Sequence, residues 1–283
     1  MNGNRLLLSI LLLGLLFGCT RSDADQPDLS KKKALTVILR GGNTNDLSFA
    51  TYANALIGPN QRYLEPIETA KILLHNPSGN VDTLKHHSEG SYIADPAIQL
   101  KRTGGAYSVR VLESNTVNVT GNLMVPNLPT YQNTKLDSST GYLGDTLLKY
   151  KYSLELKASN AAPLDLGFRI AYGLSHDAYS YGFFDFNNAW IEVEGDKLER
   201  LDKGLFQLNL QTNEIIEIKL YSRRKVKWKI DVYSLKLFEM LLNAQYPLNT
   251  GSGISFDPPA VEESDFSGAI GYFEWMLSDT LSF

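Results

Sequence analysis

The chain is short of cysteine. Cys19 is the only one in 283 residues, which excludes an intramolecular disulfide. Histidine is nearly as scarce. The four, His75, His86, His87 and His176, do not group with Cys19, so a His/Cys zinc cluster has almost nothing to build on. His86 and His87 would point to opposite faces of an extended segment and could share one ion only across a turn; no metal site is expected. Positive charge is not in excess either. Lys and Arg total 27 against 31 Asp and Glu, a formal charge of −4, which argues against a general nucleic-acid binder. No Gly-x-Ser-x-Gly elbow occurs, and no glycine pattern of the dinucleotide or phosphate-loop kind. Glu262, Glu263 and Asp265 read as a solvated acidic loop. No catalytic residue, no cofactor and no enzymatic activity are therefore expected.

Long apolar runs are also missing, with one short exception. Arg5 precedes the apolar stretch Leu6 to Phe17, followed by Gly18 and Cys19. As a helix this stretch reaches about 18 Å, against the roughly 30 Å of a bilayer core. A basic start, a short apolar segment and a small residue form a secretion signal. The Leu16-Phe17-Gly18-Cys19 string resembles a bacterial lipoprotein processing site, with cleavage before Cys19 and acyl chains such as palmitate on that residue. Several acyl chains on one terminus anchor a protein stably, where one would not. Residues 1–18 are thus expected to be a signal peptide. Residues 19–33, with Asp23, Asp25, Pro27 and Asp28, are expected to form a lipidated acidic tether. Its acidic start resembles the surface-export signals of Bacteroidetes lipoproteins; which side of the outer membrane the body faces is left open.

The remainder has the composition of a folded body, 43% hydrophobic and 11% aromatic, and its periodicity is that of strands. Leu35, Val37 and Leu39 alternate. Ile67 to His75 leads into a turn at Asn76 to Asn80 and then Val81 to Leu84. Tyr107, Val109 and Val111 keep period two, and Val117 and Val119 continue it. The polar, proline-bearing stretch 125–140 reads as a domain junction or long loop. Strands then recur at Tyr150 to Lys157, Leu164 to Tyr172, Ala189 to Glu194, Phe206 to Leu210, Ile216 to Leu220 and Val226 to Val232, with a last one at Gly268 to Leu277. Leu235, Phe238, Leu241 and Leu242 break the pattern at helical spacing, predicting one short helix over Ser234–Ala244 capped by Ser234. It would plug one end of the fold or cover a sheet edge. The fold class is all-β, with two sandwich-like units at 34–124 and 125–283.

Three features are candidate sites. Tyr179, Tyr181, Phe183 and Trp190 form an aromatic-rich stretch in which Tyr179, Tyr181 and Phe183 share a face if extended, a candidate face for a partner or glycan, although a buried core strand explains them too. The tripeptide Asp-Thr-Leu occurs three times and resembles the O-glycosylation acceptor motif of Bacteroidetes, which would mark Thr83, Thr146 and Thr280 if exposed. Lys225, Lys227 and Lys229 alternate with Val226, Trp228 and Ile230, which suits a solvated strand face, and an edge position would deter aggregation.

Taken together, the Cys19 motif, the strand Gly105 to Glu113, the Val117 to Pro126 segment, Asp231 to Glu239, the Gly251-Ser252-Gly253 loop and above all Ser267 to Glu274 resemble Bacteroidetes outer-membrane lipoproteins of unassigned function encoded beside TonB-dependent receptors. The resemblance implies an immunoglobulin-like or carboxypeptidase-regulatory-like N-terminal unit and a second β unit. It also implies an outer-membrane location, anchorage in lipid, and an accessory or ligand-binding role beside a TonB-dependent receptor, with no ligand specified. A surface adhesin or glycan-binding lipoprotein is the alternative. Gly41 to Gln61 departs from the pattern as an insertion-like segment.

Overall fold

Alternating apolar residues bury one face of a sheet against another, and the chain folds into several sheets that share such a core. The computed structural model describes residues 30–43, 46–57, 62–95, 99–137, 141–143, 146–148, 150–160, 162–174, 182–183, 189–193, 198–202, 205–243 and 264–281. In chain order the strands begin with β1 (Ser30–Gly42), β2 (Phe49–Ile57), β3 (Arg62–Pro66), β4 (Lys71–His75), β5 (Val81–Thr83), β6 (Lys85–Ser88) and β7 (Ser91–Ile93). Next come β8 (Gly105–Glu113), β9 (Thr116–Val125), β10 (Thr130–Asp137), β11 (Gly141–Leu143), β12 (Thr146–Leu148), β13 (Tyr150–Lys157) and β14 (Leu164–Leu174). After these follow β15 (Gly182–Phe183), β16 (Ala189–Val193), β17 (Leu198–Asp202), β18 (Leu205–Leu210), β19 (Ile215–Ser222) and β20 (Val226–Ser234). The helix α1 (Leu235–Asn243) precedes β21 (Phe266–Ser267) and β22 (Ile270–Leu281). The fold is almost all β, with one short helix among the described residues.

The largest sheet runs β17-β18-β14-β20-β22-β1-β2-β7-β6, with β15 beside β14 and β3 beside β2. Its one parallel pair is β1 with β22, in the register Ala34↔Ile270 through Gly42↔Ser278. A second sheet runs β21-β9-β8-β4-β5, a third β10-β13-β19-β16, and β11 pairs with β12. One continuous apolar core draws on the three larger sheets, through Leu35, Val37 and Leu39 of β1, Val109 and Val111 of β8, Leu154 and Leu156 of β13, and Trp228 of β20. Among the described residues no helix is long and apolar enough to cross a membrane.

Several expectations change on these facts. Only part of the proline-bearing stretch is a loop: residues 126–129, with both prolines, connect β9 to β10, whereas Thr130 to Asp137 forms β10, with a register shift between Gln132 and Lys135. Within Gly41 to Gln61, Phe49 to Ile57 form β2, which pairs with Ser30 to Ile38 of β1 and buries Tyr52 to 1% exposure. Ser30 to Lys33, assigned to the tether, pair with Ile57 to Asn54. Position 124/125 does not separate the sheets, since the largest one joins β1, β2 and β7 to β14, β20 and β22. The lysine-bearing β20 lies between β14 and β22, not at an edge.

The helix lies over a sheet face. Ser234 Oγ accepts the Leu237 N–H at 3.3 Å, the N-cap bond that the sequence pattern predicts. Phe238, Leu237 and Leu241 pack with Tyr233, Met276 and Ile38 on the side of the largest sheet opposite the main core. Contact is close because β14 places Gly167 under the helix, where a Cβ would sit 2.1 Å from Phe238 Cγ. Gly167→Ala should therefore lower unfolding free energy by about 1–3 kcal/mol. Phe238→Ala should cost about 3–5 kcal/mol. In urea denaturation the double variant should be less destabilised than the sum, because the truncated ring leaves room for the methyl group.

Candidate functional site

Along β22, Phe273, Trp275, Leu277 and Leu281 face the main core. Asp279 has the same parity, so period two puts an acid on an otherwise apolar face. Its side chain is only 4% exposed, and a carboxylate so buried needs partners. Arg102, from the segment preceding β8, pairs with Asp279 through its guanidinium and also donates to the Pro129 carbonyl just before β10. Asp279 Oδ1 accepts the Asn43 backbone N–H at 3.1 Å. The Asn43 amide then extends the parallel pair beyond its last rung, donating to the Thr280 carbonyl at 2.7 Å and accepting the Thr280 N–H at 2.6 Å.

These residues line a cavity of about 580 Å³ where the ends of β1 and β22 meet β10. Gln99, Leu100 and Arg102 form one wall; Thr130, Tyr131 and Thr134 of β10 form another. The Arg102 guanidinium lies 5.6 Å from the Tyr131 ring centre, a cation–π contact. The Tyr131 hydroxyl is buried and has no hydrogen-bond partner among the described residues. Burial, with the nearby Asp279 carboxylate adding to it, holds this phenol well above its usual range against the opposing pull of Arg102. It is therefore a neutral donor with an unfilled bond. Arg102 and Asp279 are the charged residues of the lining, one of each sign; the rest offers amide, hydroxyl and aromatic groups beside Leu100 and Leu281.

A second polar group lies on the opposite side of the largest sheet. Asp231, 3% exposed at the side chain, accepts the Ser278 hydroxyl at 2.5 Å and pairs with Lys229 at 3.7 Å and Arg169 at 3.8 Å. Lys229 also reaches Asp46 at 3.5 Å. This network ties β14, β20 and β22 together, and its buried charges are compensated. Further along β22, Lys236 of α1 bonds Asp265 at 2.6 Å and lies 3.9 Å from Glu274.

The sequence candidates are dispersed. Cys19, Tyr179 and Tyr181 lie outside the described residues. Phe183 falls in β15, opposite Ala171 of β14 in the largest sheet, whereas Trp190 falls in β16, opposite Tyr221 in the third sheet. The two backbones thus belong to different sheets. Thr83 ends β5 and is exposed, Thr146 begins β12, and Thr280 is half-buried in the cleft lining. His86 packs edge-on against Tyr92 at 5.3 Å. Among the described residues no group of three or more His, Cys, Asp or Glu is gathered to hold a metal. The cleft residues Arg102, Tyr131 and Asp279 were missed by sequence reasoning. One signal existed, the acid at an apolar-parity position of the last strand; that Arg102 and Tyr131 meet it is set by pairings far apart in the chain.

No family model matches the chain, and no curated protein matches it. Three solved structures align over most of its length. The serine-rich repeat protein Srr2 of Streptococcus agalactiae is 10% identical, covers 89% of this chain and 92% of its own, and has a TM-score of 0.24. The yeast delta-COP-I mu-homology domain covers 89% of this chain and 94% of its own, with a TM-score of 0.21, at 9% identity. Its complex with a Dsl1 WxWxV peptide has the same coverage and TM-score at 7% identity. Likenesses this remote bear on neither topology nor function.

Burial pushes the Glu274 carboxyl from its ordinary 4.5 up to about 7, with Asp265 adding to the rise and Ser234 and Lys236 opposing it. The folded state then holds one more proton than the unfolded state between those values. Stability should fall as pH rises from about 4.5 to 7, by about 1–3 kcal/mol from this group. Thermal melts across pH 4.5–8 should show that slope in the wild type and a flatter one in Glu274→Gln.

Proposed function

We propose that the chain is a lipid-anchored surface lipoprotein that binds glycans. The observation that carries the reading is the chemistry of the cleft at the ends of β1 and β22. Sugars present many hydroxyl groups and apolar ring faces, and the lining answers both. Gln99, Thr130 and Thr134 supply amide and hydroxyl groups, Tyr131 contributes its ring, and Leu100 and Leu281 supply apolar surface. The cleft is also large enough for a sugar unit, about 580 Å³. The Cys19 processing motif supplies the second half of the proposal, a body held at a membrane surface where such ligands occur.

The test uses the full lipidated chain in detergent micelles on a glycan array. Binding of a defined glycan set is expected. Gln99→Ala and Thr134→Ala should each weaken it about 2- to 10-fold, the loss of one net hydrogen bond. An array with no binder, or one unaltered by both substitutions, would refute the cleft as a glycan site. Incorporation of an alkyne-tagged palmitate in the wild type and its loss in Cys19→Ala checks the anchor.

A further inference from the structure

We infer that the cleft accepts uncharged sugars and rejects acidic ones, with the Arg102–Asp279 pair as the specificity determinant. The inference rests on the glycan-binding reading and adds the charge class of the ligand. Among the described residues Arg102 is the one cation in the lining, and it is already committed: one arm of the guanidinium holds Asp279, another the Pro129 carbonyl, and its centre lies 5.6 Å from that of the Tyr131 ring. Asp279 is the one anion, and each of its oxygens has a donor, Arg102 on Oδ2 and the Asn43 N–H on Oδ1. The described lining therefore carries no net charge.

A ligand carboxylate has two ways in, and both are costly. Displacing Asp279 from Arg102 would leave a carboxylate of 4% exposure without its cation, and an unpaired buried charge is strongly unfavourable. Settling beside the intact pair would set two carboxylates next to each other. An ammonium sugar meets the same obstacle at Arg102. A vicinal diol does not. Each hydroxyl both donates and accepts. One can donate to a remaining lone pair of Asp279 while its neighbour accepts an N–H of Arg102, and the pair stays closed. These bonds involve ionised partners, which are the stronger kind, yet no net charge changes hands.

The experiment measures binding of the full lipidated chain to two oligosaccharide series that differ only in a terminal residue, neutral hexose or the corresponding uronic acid. The neutral series should bind at least tenfold more tightly. Its affinity should also change less than about twofold between 50 and 500 mM salt, since no net charge is screened. Asp279→Asn frees the Arg102 charge and should shift preference towards the uronic series by at least tenfold. The double variant Arg102→Gln/Asp279→Asn restores a neutral, hydrogen-bonding pair and should return preference to the neutral series. If Asp279→Asn does not fold, the wild-type comparison and its salt series decide the matter alone. Equal or tighter binding of the uronic series by the wild type would overturn the charge selection and leave glycan binding standing. Silence across both series would instead remove the glycan reading itself, and the charge selection with it.

Discussion

The parallel pairing of β1 with β22 is the constraint on which the rest depends. It brings Ala34 to Gly42 beside Ile270 to Ser278, some of the most distant segments of the described chain, and so closes a very long loop. The entropy of that closure grows only slowly with length, but the contact is non-local and comes late in any folding order that starts from hairpins. Without it the largest sheet would fall into two pieces, β17-β18-β14-β20-β22 on one side and β1-β2-β7-β6 on the other. The helix would lose Ile38 from beneath it, and the cleft would lose one of its walls.

Charge burial follows from the same arrangement. β22 is a central strand with helix or sheet on both faces, so its polar residues are enclosed. Asp279 finds Arg102, Ser278 finds Asp231, and Glu274 lies near Lys236. The three acids differ in what the enclosure does to them. Asp231 is held among two cations and a hydroxyl and behaves as a cross-strand clasp. Burial raises Glu274 towards neutrality, and Lys236, 3.9 Å away and shared with Asp265, only partly opposes the rise. Asp279 lines the cleft, which is why a compensated ion pair there can also meet a ligand.

Strands and their inward faces were legible because period two is local. Leu35, Val37 and Leu39, the alternation of β13, and the 105–125 hairpin all announce which residues turn to the core. The helix was legible for the same reason, its apolar spacing and its Ser234 cap both lying within three turns. The misreadings arose where local composition was a poor guide. Thr130 to Asp137 looks like a linker by its polar residues, yet it finds a partner strand in β13. Phe183 and Trp190 look like one aromatic stretch, yet the chain divides them between two sheets.

What the sequence by itself determined is therefore the class of the fold, its buried faces and the short helix that follows β20. Each is written within a few consecutive residues. Only the tertiary structure decided which strands neighbour each other, that the first described strand lies parallel to the last, and that Arg102, Tyr131 and Asp279 share a cleft. The physical reason is that strand partners are selected by mutual burial and hydrogen bonding between segments of any separation, so many pairings satisfy the same alternation. The choice among them is a property of the assembled sheets.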